Sequence, residues 1–244
     1  MSLASADSVR VAVIGADGRM GRYTRELLSS PESAGGQGDR RLELVCEVRR
    51  ADDLRQALEQ AQVDVAIDLT SAGLGLEHGM SMLECGVRPL IGTSGIDKAQ
   101  TERLDERARE LDLGGLVVPN FSLGVWLQQQ LVLQAAPHLP ALEILEEHHE
   151  SKRDAPSGTA IDTAEQLASA GHGRSVPIHS IRLPGLYSNQ TVVFGGMGEV
   201  LRITHEAYGL EAFGPGIRAG LFYAAQAEGV ARGIGHAFDL QAHG

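Results

Sequence analysis

An α/β fold, with a doubly wound parallel sheet and a second α+β domain, is predicted by three observations. Short uninterrupted apolar runs alternate with helix-period segments through about the first 120 residues, as two-face-buried strands and crossover helices require. The first run stops at a glycine-spaced turn, where such folds bind ligands. Beyond Pro119 the alternation ends, and strand candidates follow one another instead.

The elements follow in order. Residues 11–14 form a strand stopped by Gly15, and a helix is predicted over 19–28. Residues 29–40, rich in Gly, Ser and Pro, read as a loop before a strand at 42–45. The pattern repeats with strands at 63–69, 89–91 and 116–118, separated by helices at 52–60, 75–84 and 98–111. A helix over 124–136 then leads to strands at 142–148, 178–183, 191–194 and 200–204, the last two flanking a hairpin turn at Gly195–Gly198. A final helix over 215–231 places Ile217, Leu221, Ala224 and Ala225 on one face, suited to packing against the first domain.

A net charge of −11 opposes binding to a phosphate backbone, so nucleic acid is excluded as a partner; a small anionic substrate needs a local cluster of cations or backbone N–H groups. Cys46 and Cys85 have no metal-ligand spacing and read as buried reduced thiols, which fits a reducing cytoplasm. Residues 1–7 lack a basic and apolar leader pattern, and no stretch approaches the ~20 apolar residues of a membrane span, so a soluble cytoplasmic chain with no membrane partner is expected.

Two segments carry chemistry. In the first, Gly15, Ala16, Asp17, Gly18, Arg19, Met20 and Gly21 lie at a strand-to-helix turn, where backbone N–H groups and the helix N-terminus suit a pyrophosphate. The spacing is GxxGxxG, with Ala16 at the usual second glycine, and a tight packing turn is the competing reading. Glu47, at the end of the second strand, can accept hydrogen bonds from ribose hydroxyls. Arg49 and Arg50 follow Val48 rather than Glu47 itself, leaving NADH and NADPH both open as cofactors. Loops at 68–70, 92–95 and 119–122 fall at the ligand-binding edge of the sheet.

The second segment runs from His148 to Ala160. In extended chain, adjacent His148 and His149 point to opposite faces, so one suits proton donation and the other substrate contact. Pro156 fits the first turn of a helix whose stripe is Ala160, Ile161, Ala164, Leu167 and Ala168. Ser157, Gly158 and Thr159 then offer amides and hydroxyls to a carboxylate, with Lys152 adding a charge; N-capping by Ser157 beside a solvated loop is the plainer alternative. A metal site is not expected, since the histidines lack ligand spacing, and no nucleophile elbow is visible.

Residues 148–160 resemble the Glu-x-His-His-x-x-Lys-x-Asp-Ala-Pro-Ser-Gly-Thr-Ala signature of the dihydrodipicolinate reductase family, and the likeness extends through Gly15–Gly21, Gly92–Gly95, Asn120–Ser122 and the 204–216 segment. The resemblance implies a Rossmann domain over 1–122 and 214–244, a mixed-sheet substrate and oligomerisation domain over 123–213, and a homotetramer. It implies reduction of 4-hydroxy-tetrahydrodipicolinate, a small dicarboxylate, by NADH or NADPH. By the same resemblance His148 is the proton donor, Lys152 a second acid/base and carboxylate-binding group, His149 a substrate contact, and Ser157, Gly158 and Thr159 the carboxylate cradle. Gly15 to Met20, Glu47, Gly92, Thr93, Ser94, Pro119, Asn120 and Phe121 are implied cofactor contacts. Two departures stand out: Leu69 replaces a frequent Phe between Asp68 and Thr70, and Ser188-Asn189-Gln190 replaces a His-bearing motif. A different nicotinamide dehydrogenase, acting on an amino acid such as aspartate, and a non-catalytic cofactor sensor are the alternative readings.

Overall fold

The structure, a computed structural model, describes residues 8–30 and 40–239; most of the loop expected over 29–40 lies outside the described residues. The chain forms two compact units, Met1–Phe121 with Phe213–Gly244, and Ser122–Ala212.

The first unit is built on strands β1 (Ser8–Ile14), β2 (Arg41–Val48), β3 (Val65–Asp68), β4 (Arg88–Ile91), β5 (Gly114–Val117) and, from the far end of the chain, β10 (Gly229–Arg232). They form one parallel sheet ordered β10-β5-β4-β3-β1-β2. Val11, Ala12, Val13, Val65, Ala66 and Ile67 have no exposed surface, which is why these strands read as unbroken apolar runs. Helices α1 (Arg19–Ser29), α2 (Leu54–Ala61), α3 (Gly75–Glu84) and α4 (Lys98–Glu110) are the crossovers. Helix α2 starts two residues later than expected because Asp53 is its N-cap, accepting from Gln56 N at 3.0 Å. Leu58 and Met82 pack with Ile14 and Val48, while Leu83, Leu104, Val117 and Val230 fill a neighbouring layer.

The second unit contains α5 (Leu123–Ala135), β6 (Ala141–His148), α6 (Gly158–Ser169), β7 (Ile178–Arg182), β8 (Ser188–Gly196) and β9 (Glu199–Ala207). Its mixed sheet is ordered β7-β6-β8-β9, with β6 and β7 parallel and the other pairs antiparallel. Val132 of α5 and Leu167 of α6 meet Ile144, Val192 and Phe194 in the core. The hairpin turns at Met197-Gly198, but both its strands outrun expectation, pairing from Gly196 with Glu199 to Ser188 with Ala207. Main-chain pairing does not require apolar side chains, so the polar run 188–190 concealed this extension.

The last helix also departs from expectation. Helix α7 (Gly214–Ala224) stops well short of residue 231, and the chain re-enters the first sheet as β10 before α8 (Gly235–Asp239). Gly229, at φ +73°, cannot continue a helix, and Val230 N donates to Asp105 at 2.7 Å. The face formed by Ile217, Leu221, Ala224 and Ala225 is buried as expected. Cys46 and Cys85 are free thiols but only half-buried, not buried; burial and neighbouring carboxylates push both up from the usual thiol range.

Candidate active site

In the first unit β1 and β3 adjoin while their crossovers run to opposite sides, so the carboxyl ends of these strands open a crevice. Gly15 leaves β1 at φ +82°, and its amide and that of Ala16 donate to Val48 O at 2.9 and 3.2 Å. The Gly18 amide donates to Gly15 O at 3.0 Å. Three amides of the expected phosphate loop are therefore already bonded within the chain. That leaves the first turn of α1, from Arg19 and Met20 onward, as the part of this segment whose amides could meet an anion. Gly18 is its N-cap and offers no side chain that competes for these amides. A Cβ at Gly21 would overlap the Gly15 carbonyl, so the loop and helix touch backbone to backbone. A cavity of about 700 Å³ opens here, lined by Gly15, Asp17, Gly18, Arg49, Arg50, Thr70 and His78, among others.

Glu47 is the penultimate residue of β2, not its end, and is not on that cavity wall. Its carboxylate is held by Arg25 at 2.8 Å and Arg49 at 2.7 Å, and Arg49 also lies 3.4 Å from Asp17. Gly92, Thr93 and Ser94 follow β4, and Pro119, Asn120 and Phe121 follow β5 by one residue, all at the same edge of the sheet. Thr93 is buried and its hydroxyl donates to Asp68 O at 3.2 Å. A side chain on Gly92 would strike the Phe121 ring and come against Leu69.

In the second unit β6 alternates Leu142, Ile144, Glu146 and His148 inward. Glu146 is fully buried and receives four hydrogen bonds. Its Oε1 accepts from Arg182 Nη2 at 2.8 Å and Ser157 N at 3.1 Å, and its Oε2 from Arg182 Nη1 at 2.8 Å. The fourth comes from His148 Nδ1 at 2.6 Å. Arg182 foremost, then Ser180 and His148, hold the Glu146 carboxyl down at about 2 against its burial. An ionised carboxylate only accepts, so the proton on His148 sits at Nδ1 in the neutral ring, leaving Nε2 unprotonated. Nε2 lies 3.2 Å from the Ser188 hydroxyl. Burial lowers the His148 pKa from its ordinary value, partly opposed by Glu146.

His149, the first residue beyond β6, is exposed and accepts from Ser151 N at 3.2 Å through Nδ1. Lys152 is ion-paired with Asp154 at 2.7 Å. Pro156 lies outside α6, contrary to its expected first-turn place; Ser157 is the N-cap, because its hydroxyl accepts from Ala160 N at 3.2 Å. Buried and occupied in this way, the Ser157 hydroxyl caps the helix rather than facing a ligand. Gly158 is exposed, with no atom within 4 Å of where its Cβ would stand, so the helix start is open above Gly158 and Thr159.

Sequence reasoning gave no role to Glu146, the opening Glu of the family signature, to Arg182, or to Ser188, which it marked only as a departure. A charge at an inward position of an alternating strand was a signal for Glu146; its link to Arg182, 36 residues away, left none. Gln190 is buried, donating to Gln128 Oε1 and Thr163 Oγ1, both at 3.1 Å, so that departure serves the core.

Comparison with known proteins was consistent across sequence and structure. A family model described as dihydrodipicolinate reductase, N-terminus, matches residues 9–121, and one described as dihydrodipicolinate reductase, C-terminus, matches 124–234. A 4-hydroxy-tetrahydrodipicolinate reductase of Legionella pneumophila (strain Lens) is 37% identical over 227 residues, covering 85% of this chain and 90% of that protein. One from Coxiella burnetii is 37% identical over 225 residues, covering 86% and 91%. The dipicolinate-bound dihydrodipicolinate reductase from Paenisporosarcina sp. TG-14 matches with a TM-score of 0.73 at 29% identity, covering 93% of this chain and 98% of that one. A probable dehydrogenase from Thermotoga maritima, with a TM-score of 0.62 at 12% identity over 94% of this chain and 92% of its own, shares the fold alone.

Proposed function

The chain belongs to the dihydrodipicolinate reductase family, and from that membership we propose that it reduces 4-hydroxy-tetrahydrodipicolinate with a reduced nicotinamide dinucleotide, using His148 and Lys152 as its acid/base groups. The observation that carries this reading is the buried Glu146–His148 pair, with Lys152 and the open α6 N-terminus a few residues away in sequence. The first unit fits a dinucleotide: the Gly15–Gly21 backbone contact, the uncapped α1 and the adjoining cavity leave room and donors for a pyrophosphate. Arg19 and Met20 would hold it from the first turn of α1, with Gly15, Ala16, Asp17 and Gly18 shaping the turn that leads to them. Glu47 serves the ribose through a carboxylate that Arg25 and Arg49 hold in place. The loops Gly92–Ser94 and Pro119–Phe121 supply the remaining contacts. Bound there, the nicotinamide supplies the hydride.

The protein's own part is to bind two carboxylates and deliver a proton. Gly158 and Thr159 offer amides at the positive end of α6, and Lys152 exchanges Asp154 for a substrate carboxylate. The dianion also favours the charged imidazole, so substrate binding raises the pKa that burial depresses and charges His148. His148 then gives its Nε2 proton as negative charge develops on the substrate, with His149 as a further contact. Glu146 stabilises the charged ring throughout.

NADH and NADPH are both compatible with Arg49 and Arg50 lining the cavity. A homotetramer is supported by the outward face of the second sheet, where Leu145, Ile181 and Val193 lie opposite the face packed by α5 and α6. A cytoplasmic setting is supported by the two free thiols; no helix among the described residues is long and apolar enough to cross a membrane. The test couples condensation of pyruvate and aspartate semialdehyde to the protein and follows reduced-nicotinamide absorbance with NADH and NADPH. Turnover that falls by about 10²-fold or more in His148→Gln and Lys152→Ala is expected; unchanged rates in both would overturn the assignment.

A further inference from the structure

A second buried carboxylate–histidine pair lies in the first unit, outside the acid/base machinery. Asp68, the last residue of β3, has no exposed surface. Its Oδ1 accepts from Thr70 N at 2.9 Å and Thr70 Oγ1 at 2.6 Å, and its Oδ2 lies 3.0 Å from Nδ1 of His78 on α3. One carboxylate thus ties the turn after β3 to helix α3. His78 is 19% exposed and lines the same 700 Å³ cavity as Gly15, Gly18, Arg49 and Arg50. With Nδ1 committed to Asp68, Nε2 is the nitrogen left to meet a ligand.

We propose that His78, held by Asp68, is a binding residue for the ADP half of the dinucleotide, donating from its charged imidazole to that half's anionic or acceptor atoms. This rests on the reading of the first unit as a dinucleotide site. The glycine turn and α1 mark the pyrophosphate end of such a groove, and the end of β2 marks the adenosine end; His78 shares the cavity wall with both. Thr70 and His78 together satisfy the buried Asp68 carboxylate, which fixes the imidazole in one orientation against the end of β3. The Asp68 contact raises the His78 pKa above its ordinary value against burial, with Glu77 on the same helix adding to it. The other charged groups of the cavity wall are Asp17, Asp52, Arg49 and Arg50.

The probe is ADP-ribose, whose pyrophosphate keeps its charge across this range, titrated calorimetrically into the full chain from pH 6 to 9. The charged form of His78 is present at low pH and lost as pH rises through its elevated pKa, so the dissociation constant should rise with pH. His78→Ala should weaken binding about tenfold at pH 6. His78→Gln, which keeps a donor for Asp68, should bind with little pH dependence and meet the unsubstituted chain near pH 9. In the coupled assay both variants should raise the KM for dinucleotide while leaving kcat within about threefold. A pH-independent constant in the unsubstituted chain, or overlaying curves for all three proteins, would overturn the inference while leaving the reductase reading intact. Failure of the unsubstituted chain to bind either ADP-ribose or reduced dinucleotide would overturn both.

Discussion

Replacing Glu146 with glutamine separates holding His148 from merely filling the core. The carboxylate accepts four hydrogen bonds: two from Arg182 and one each from Ser157 N and His148 Nδ1. Glutamine keeps one acceptor oxygen and places an NH₂ where the other stood. With the oxygen toward His148, the NH₂ faces Arg182 and the Ser157 amide; turned over, it faces Arg182 and the His148 N–H. Two of the four bonds are lost either way, and Arg182 loses its counter-charge, a cost of about 3 kcal/mol. Thermal or urea unfolding should show that loss. Per folded molecule, kcat should fall by about 10²-fold, because the imidazolium loses its partner and its fixed orientation. The affinity for dinucleotide, which the proposed function assigns to the other unit, should not change. A destabilised variant with unaltered kcat and an unaltered pH profile would refute the reasoning, since Glu146 would then support the fold without aiming His148.

Acid should act through the same residue: the Glu146 pKa is depressed to about 2, so its stabilisation is fully present above about pH 4.5 and is lost as pH falls toward 2, and Glu146→Gln should flatten that limb of an unfolding curve followed against pH. Burial lowers the His148 pKa, so kcat/KM, which reports the free enzyme, should fall as pH rises through a value below the ordinary histidine range; His148→Gln should abolish that limb. Asp154→Asn, which releases Lys152 from a solvent-facing ion pair, should change kcat/KM by less than about fivefold, whereas Lys152→Ala should cost about 10²-fold; equal losses would remove the distinction. Gly21→Ala should drive a methyl into the Gly15 carbonyl and cost about 2 kcal/mol in unfolding experiments, along with weaker dinucleotide binding.

The first sheet was legible because its strands are buried on both faces and so written in unbroken apolar residues, as at Val11–Ile14 and Val65–Ile67. Helix starts were legible to within a turn where Asp53, Asp97 or Ser157 caps them. What escaped depended on partners distant in sequence. Val230 and Ala231 suit either helix or strand; the positive φ of Gly229 breaks the helix and pairing with Gly114–Val117 makes the segment a strand. Ser188–Gln190 is strand because Glu206 and His205 pair with it, not because of its own composition. The site divides in the same way. His148, Lys152 and the start of α6 lie within one short segment and were read together, whereas Arg182, Ser188 and the Asp68–His78 link needed the folded chain.

The placement of β10 beside β5 sets an order on biogenesis. A ribosome that has released everything up to the end of α7 has still not supplied the border strand of the first sheet, and β5 waits with a row of unmatched peptide groups. The intervening lobe, contiguous from Ser122 to Ala212, has all its strands by then. The half of the molecule that begins first is therefore the half completed last, and a chain cut just before Gly229 would carry every strand of the second unit but lack the border strand of the first sheet.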